Sequence, residues 1–512
     1  MMKYLFCYTL ATIITFSCFS QSRNFLNITK LDVRNSGVIT KERDVVGYYM
    51  FYSIGKLKKG QRNFALRILD ENLEDVNTIT FQDTKTQNLQ GALYNGNTIL
   101  MRFYDARNDA AHYKFFDTNA NQISEARRIV FFNNPGSLFA VPNHGFANYQ
   151  TDYQNKNYHV EYFPNPEEKN GATPWSYFFP ANTDSVASAT YLCTTDNLLV
   201  NLVTVKKNWS TNKINFYLQG LDLETGHEVF FTGLKGNYQT QPLNAYYDQE
   251  SGVINVLGLY YAPDEKVFKD NGVGLANIQM NETGEIFETK YLSWTHEFRE
   301  FMDIDNEGKV SNEDKRGFMY FHEIFKQPDG SIMAIAEQYR RTASGAGIAL
   351  NVLAAAAGSY SSSGVTKMVI GDLIVFKFDP DFHVQSVDFI EKGKRDLMLP
   401  AGYDFSNIHL VSEYINAVGG FGYLYFSQLG ADKIPMVAYF DWQRSEASLQ
   451  KNWNFSVSIF DGDQIKKDYV EFRPPGQNVI RRILPGKPGH ILVYDYSKIN
   501  KSLDIHLEKI NY

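Results

Sequence analysis

The chain has 512 residues, 44% of them hydrophobic and 21% charged, which is enough apolar material for a large core. Its formal net charge is -7, so it carries no basic footprint and nucleic acid is not expected as a partner. Aromatics make up 15%, with 33 Tyr and 38 Phe, a composition that suits strands.

Residues 1–20 read as a signal peptide. Lys3 supplies a positive start, and Tyr4 to Phe16 is an apolar run too short to remain as a membrane anchor. Cys18 and Ser20 are the small residues expected before a cut at Gln21. A lipoprotein cut before Cys18 is the rival, with Thr15 and Phe16 standing where a lipobox prefers Leu and a small residue. The expected product is exported, to the periplasm, the cell surface or the medium, with no transmembrane span after signal cleavage. It keeps Cys193 alone of three cysteines, a thiol expected in a strand core and unable to form an internal disulfide.

The rest of the chain repeats one unit: an apolar strand, a polar turn, an alternating strand, a loop, a third strand, an acidic turn and a fourth strand. Pro242–Tyr247, Val253–Tyr261, Gly274–Met280 and Glu285–Tyr291 form the clearest copy. The acidic turn recurs at Asp70, Asp117, Asp222, Asn281, Asp379 and Asp461, with a weaker version at Asn182-Thr-Asp184. Most steps are near the roughly 50 residues of a propeller repeat. Asp or Asn at this place can bond its own turn backbone, so these residues are expected to be structural. Seven units are complete, and an eighth, Val479 to Leu507, lacks a fourth strand. Phe25–Val33 is the spare strand that would complete it. The prediction is an all-β fold: one domain, 21–512, an eight-bladed β-propeller of four-stranded antiparallel blades closed by the N-terminal strand, with seven blades as the alternative.

Extra residues fall mainly on loops assigned to one face: Pro164–Trp175, Ala262–Asn271, Arg340–Gly371, Trp442–Trp453 and the connection Trp294–Arg316. That face is the expected binding face, with Trp175, Tyr260, Tyr261, Trp294, Arg340, Arg341, Trp442 and Arg444 as candidates. Aromatics offer contact area at low ordering cost and Arg offers planar charge. An Ala/Gly/Ser-rich insertion at 341–366 contains a helix-forming stretch, Ile348–Ala357, suited to a lid, a docking helix or a packed surface helix. The stretch Asp303-Ile-Asp305-Asn-Glu307-Gly308-Lys309 through Asp314 has the outline of a calcium loop. Its ligands would be Asp303, Asp305, Glu307, the Lys309 carbonyl and Asp314. Glu307 is long for its position and a strand pattern follows, so a solvated acidic loop is the competing reading, and no other cofactor is expected.

Familiar catalytic motifs are absent from the sequence: no phosphate-binding Gly-rich loop, no nucleophile elbow and no His-Glu-x-x-His. The blocks Asp44–Tyr52, Leu66–Leu73, Ala336-Glu-Gln-Tyr-Arg340 and Asp372–Asp379 resemble a family of uncharacterised exported β-propeller-like proteins of Bacteroidota-type bacteria. The resemblance runs through most of the mature chain. It implies fold and export and brings no activity with it. Two functions are carried forward. One is a non-catalytic binding or scaffold propeller of the cell envelope, its partner a glycan, a peptide or an envelope protein. The alternative is an envelope hydrolase acting on glycans or peptides with carboxylates gathered over the channel.

Overall fold

The structure is a computed structural model. It describes residues 21–41, 44–56, 61–84, 87–105, 107–129, 136–152, 155–166, 173–180, 185–207, 214–234, 236–263, 272–304, 309–312, 315–346, 349–350, 353, 363–400, 403, 408–429, 433–444, 451–462, 464–472 and 478–510. The described residues form an all-β fold of eight antiparallel sheets, of the blade type found in β-propellers.

Seven sheets have four strands and one has six. The first runs through Lys30–Lys41, Asp44–Lys56, Gln61–Asp70 and Asp75–Thr84, and the second through Gln87–Tyr94, Ile99–Asp105, Ala110–Phe116 and Gln122–Ile129. The third contains Ser137–Val141, Gly145–Asp152, Asn157–Pro164 and Trp175–Phe178; the fourth, Val186–Thr194, Leu198–Lys206, Ile214–Asp222 and Glu228–Gly233. The fifth is built from Gln239–Asp248, Val253–Tyr261, Gly274–Met280 and Ile286–Ser293. In the sixth, Lys315–Lys326, Ile332–Ala343, Ser363–Phe378 and Val384–Ile390 are joined by Val310–Asn312 at one edge, while Arg395–Pro400 pairs the start of the long third strand. The seventh uses Tyr423–Leu429, Ile434–Arg444, Lys451–Asp461 and Gln464–Phe472. The eighth uses Val479–Pro485, His490–Ser497, Ser502–Lys509 and, at its edge, Ser22–Phe25.

Within a sheet the middle strands are covered on both faces and the fourth is exposed. Val253–Tyr261 is buried at every position but the first, whereas Glu228–Gly233 buries one residue of six. Continuous apolar runs in second strands and mixed fourth strands follow from this. The chain divides into two compact units. One holds residues 1–129, 425–436 and 457–512, with a core around Tyr48, Leu69, Tyr494 and Leu507. The other holds residues 130–424 and 437–456, with its largest core around Leu218, Leu257, Trp294, Phe298 and Phe376.

The acidic turns do the structural work expected of them. Asp70 Oδ1 accepts the N–H groups of Asn72 (2.9 Å) and Glu74 (2.7 Å), and Asp117 Oδ1 accepts those of Asn119 (2.9 Å) and Asn121 (2.7 Å). Asn281 and Asp379 repeat the pattern. Three residues after each acceptor the backbone is left-handed, at Leu73, Ala120, Gly284 and Phe382. Leu73, Ala120 and Phe382 tolerate that costly conformation because it turns their side chains into the core, where all three are buried.

Two expectations about register are corrected. The strand completing the eighth sheet is Ser22–Phe25, with Ser22 opposite His506 and Phe25 opposite Leu503, and not Phe25–Val33. Asn27 adopts φ 64° and breaks the run, Ile28 is fully buried, and the chain from Lys30 onward pairs with the next strand of the first sheet. In the third sheet, Pro164–Trp175 joins the third strand to the fourth. The turn assigned to Asn182-Thr-Asp184 lies outside the described residues. A ten-residue third-to-fourth loop replaces the short acidic turn, so the repeat of acidic turns slips by one element at this blade.

Candidate functional site

The fifth sheet ends beside the elaborated connection to the sixth. Tyr238 immediately precedes its first strand, Tyr260 is the last but one residue of its second and Tyr291 lies two residues before the end of its fourth. The strand order brings these three rings to the same end of the sheet. Each pair of centroids is 4.9 Å apart with interplanar angles of 60–67°, the edge-to-face geometry that aromatic quadrupoles favour. Tyr260 is buried, and burial pushes its hydroxyl pKa up to about 12 against a bond with Ser293. Tyr238 and Tyr291 are half-buried.

The connection beyond Ser293 is a packed structure. Trp294 and Phe298 are fully buried with ring centroids 4.8 Å apart, and Phe298 packs edge-on against Phe376. The Glu297 carboxylate accepts the Ser293 N–H at 2.6 Å, and Ser293 Oγ lies 3.1 Å from Thr295 Oγ1. Thr295 forms the near wall of a cavity of about 760 Å³, lined further by Arg299, Glu300, Phe301, Met302, Asp303 and Ile304. It is an open hollow whose accessible lining is mostly polar, and the charges of both signs at Arg299, Glu300 and Asp303 suit a polar ligand. The cavity is linked to the tyrosines through Tyr260, Ser293 and Thr295.

A second cluster of ionisable groups lies inside the sixth sheet. Glu337, with no exposure, accepts the Gly422 N–H at 2.8 and 3.1 Å and the Tyr423 N–H at 3.0 Å. His322 Nε2 is 3.2 Å from one carboxylate oxygen and Lys392 Nζ 2.9 Å from the other. The Lys392 side chain has no exposure; its ammonium is at ion-pair distance without the alignment of a hydrogen bond. Burial raises the Glu337 pKa, but the Lys392 charge, the His322 bond and the Gly422 N–H outweigh it and bring it down to about 2. The His322 ring stacks on Tyr423 and meets Phe421 edge-on. Asp372 accepts the Lys392 N–H (3.1 Å) and Asp441 the Gly393 N–H (2.6 Å). Both Glu337 oxygens are occupied by donors and the carboxylate has no solvent exposure, so the arrangement holds the Lys392 loop and the start of Tyr423–Leu429 in place.

The candidate residues are distributed unevenly. Tyr260 stands in the tyrosine cluster, but Tyr261 and Trp294 are fully buried core side chains and are not presented to a ligand. Strand alternation puts Tyr261 opposite in facing to Tyr260, and Trp294 anchors the connection into the core. Trp175 starts a fourth strand, donates its Nε1–H to the Leu223 carbonyl at 2.9 Å and packs where Gly226 leaves room, φ 74° with its missing Cβ 2.6 Å from the indole. It therefore sits with third-to-fourth turns, away from the second-to-third loops with which the sequence grouped it. Arg340 and Arg341 are part-buried in the long second strand of the sixth sheet, opposite Val369 and Met368. Trp442 and Arg444 lie in the strand Ile434–Arg444. Asp303 is exposed and lines the cavity, and Lys309 Nζ sits 5.3 Å from the Phe318 ring centroid. Asp305, Glu307 and Asp314 lie outside the described residues, as does half of the 341–366 insertion, of which 345–346, 349–350 and 353 are helical. Among the described residues no group of three or more His, Cys, Asp or Glu is placed to hold a metal ion, and no helix is long and apolar enough to cross a membrane.

Sequence reasoning missed Tyr238, Tyr291, Arg299 and Glu337. Glu337 had a signal, a charge placed directly after the apolar run Ile332–Ala336 in the same strand. The tyrosines are separated by 22 and 31 residues and meet only through the strand order.

Comparison with known proteins adds a family. The Family of unknown function (DUF6770) matches residues 1–130 and 132–511. No curated protein matches the chain. Among solved structures, a eukaryotic initiation factor is 9% identical, with 89% of this chain and 96% of that one covered and a TM-score of 0.34. Prolyl oligopeptidase B from Galerina marginata is 8% identical over 93% of this chain, TM-score 0.37, and Pyrococcus horikoshii acylaminoacyl peptidase 10% identical over 93%, TM-score 0.36. The chain spans 55% and 58% of the lengths of these two peptidases.

Proposed function

The chain belongs to the Family of unknown function (DUF6770), and on that premise we propose that it is an exported, non-catalytic binding propeller of the cell envelope that takes a glycan or peptide at the end of its fifth sheet. The observation that carries this reading is the open hollow of about 760 Å³ lined by residues between Thr295 and Ile304, where Arg299, Glu300 and Asp303 supply charges of both signs, next to the half-buried Tyr238 and Tyr291. Rigid aromatic surface beside a few convergent polar groups is the composition of a recognition site. The packed Trp294–Phe298 anchor supports it by fixing the cavity wall, so little ordering cost falls on binding.

The test is an array of envelope glycans and peptides probed with the exported protein and with Arg299→Ala and Tyr291→Ala variants. Binding that both variants weaken by tenfold or more, with the ligand recovered unchanged, is the expected result. Binding indifferent to both variants removes the groove from the reading. Recovery of a cleaved ligand replaces it with the hydrolase.

A further inference from the structure

We propose that one end of the first compact unit, where the eighth sheet meets the first, docks on an anionic phospholipid bilayer. No residue of the fifth sheet takes part. Residues 26–30 carry the chain from the edge strand of the eighth sheet into the first sheet and are bonded on both sides. The Ile28 N–H donates to the Lys501 carbonyl at 2.9 Å, and the Tyr496 hydroxyl donates to the Ile28 carbonyl at 3.3 Å. The Thr29 N–H and hydroxyl both donate to the Ser53 carbonyl at 2.9 Å. The segment therefore ties the turn 498–501, between the second and third strands of the eighth sheet, to the end of the strand Asp44–Lys56. Three aliphatic side chains stand out beside these bonds: Leu26 and Ile499 are each 68% exposed and Ile54 36%. Scattered singly such residues are ordinary, but these three share one end of two joined sheets.

The backbone holds them there. Phe25 and Ile28 are buried on either side of Leu26, and Lys501 closes its four-residue turn at φ 50°, with Ile499 at the tip. Presenting the aliphatic groups therefore requires no reordering. The charge around them is of one sign. Lys30, Lys498 and Lys501 are exposed, and none of them forms an ion pair among the described residues. Asp504, three residues beyond Lys501, accepts from Asn24 Nδ2. The acidic turns Asp70–Glu74 and Asp117–Asn121 lie at the other end of the first and second sheets, so the net charge of -7 conceals a polarity along the strands. Lysines alone would take any polyanion, and exposed aliphatics alone any apolar surface. Together they match a bilayer, whose phosphates meet the ammonium groups while Leu26, Ile54 and Ile499 enter between the headgroups.

The experiment is co-sedimentation of the exported protein with vesicles of phosphatidylethanolamine and phosphatidylglycerol, and with vesicles of phosphatidylcholine alone. Binding to the anionic vesicles that added salt weakens, and little binding to the neutral ones, is expected. Each lysine near an anionic surface is worth roughly fivefold, so a variant carrying Lys30→Gln, Lys498→Gln and Lys501→Gln should lose about a hundredfold. A variant carrying Leu26→Ser and Ile499→Ser should lose roughly tenfold on the same vesicles. Both should melt with the parent, because the changed side chains are exposed. Equal binding to the two kinds of vesicle, or binding that either variant leaves intact, overturns the proposal. Loss in the lysine variant alone makes the partner a soluble polyanion and overturns the lipid assignment. A dimer in sedimentation velocity that the Leu26 and Ile499 variant dissociates makes the occupant a second copy of the chain and overturns it as well.

Discussion

Replacing Glu337 by Gln tests the physical account of the sixth sheet more sharply than any truncation. The substitution keeps size and shape and removes one charge. Every position around the carboxylate is a donor: Lys392 and Gly422 on one oxygen, and His322, Gly422 and Tyr423 on the other. Whichever way the new amide is turned, its NH₂ faces a donor and its single oxygen cannot serve both sides. The Lys392 ammonium, with no exposure, is left without its countercharge. Removing one member of a buried pair costs about 3–5 kcal/mol. For a folding unit of about 300 residues the unfolding entropy is roughly 0.6 kcal/mol per degree, so the melting temperature should fall by about 5–8 °C. Differential scanning calorimetry measures this directly. Glu337→Gln combined with Lys392→Met should recover most of the loss, because the stranded charge goes with its partner. A single variant within about 1 kcal/mol of the parent refutes the reasoning, as would a double variant no better than the single.

Acid should reveal the same group. The folded-state pKa of Glu337 is depressed from 4.5 to about 2, so its contribution is complete above the unfolded value and is lost as pH falls through the folded value. About 3 kcal/mol of stability should disappear between roughly pH 4.5 and 2, and denaturant titrations across that window that show no such slope count against it. Asp117→Ala should cost about 0.5–1.5 kcal/mol, because it leaves the Asn119 and Asn121 N–H groups of an exposed turn to water, while Asp117→Asn should be milder; urea midpoints decide it. Deleting residues 22–25 should strip the eighth sheet of its fourth strand, lower the melting temperature and promote association through the bared edge, which light scattering would detect. Unchanged melting and no association would show that the strand is dispensable.

The fold was legible because each repeat writes the same local chemistry. An Asp or Asn that bonds the N–H groups of its own turn marks the third-to-fourth junction at Asp70, Asp117 and Asn281, and the acidic-turn pattern misled where the third sheet substitutes a long connection at Pro164–Trp175. The completing strand was legible as a missing partner, but its ends were not, since Asn27 breaks an alternation that continues on paper to Val33. The site was less legible. Tyr260 and Tyr261 look alike in sequence, and only the facing of the strand separates the one in the tyrosine cluster from the one in the core. Trp294 was a candidate because it begins the long connection Trp294–Arg316 assigned to the binding face, whereas its indole is fully buried against Phe298. Tyr238 and Tyr291 carry no local signal, because their meeting is a property of strand order.

Hydrogen exchange of the exported protein with an array-derived ligand tests the central claim most directly. The account predicts protection concentrated in residues 236–238, 260 and 291–304, reduced when Arg299 or Tyr291 is replaced by Ala, with the ligand intact after incubation. Protection confined to other sheets, or a ligand returned in pieces, would contradict it.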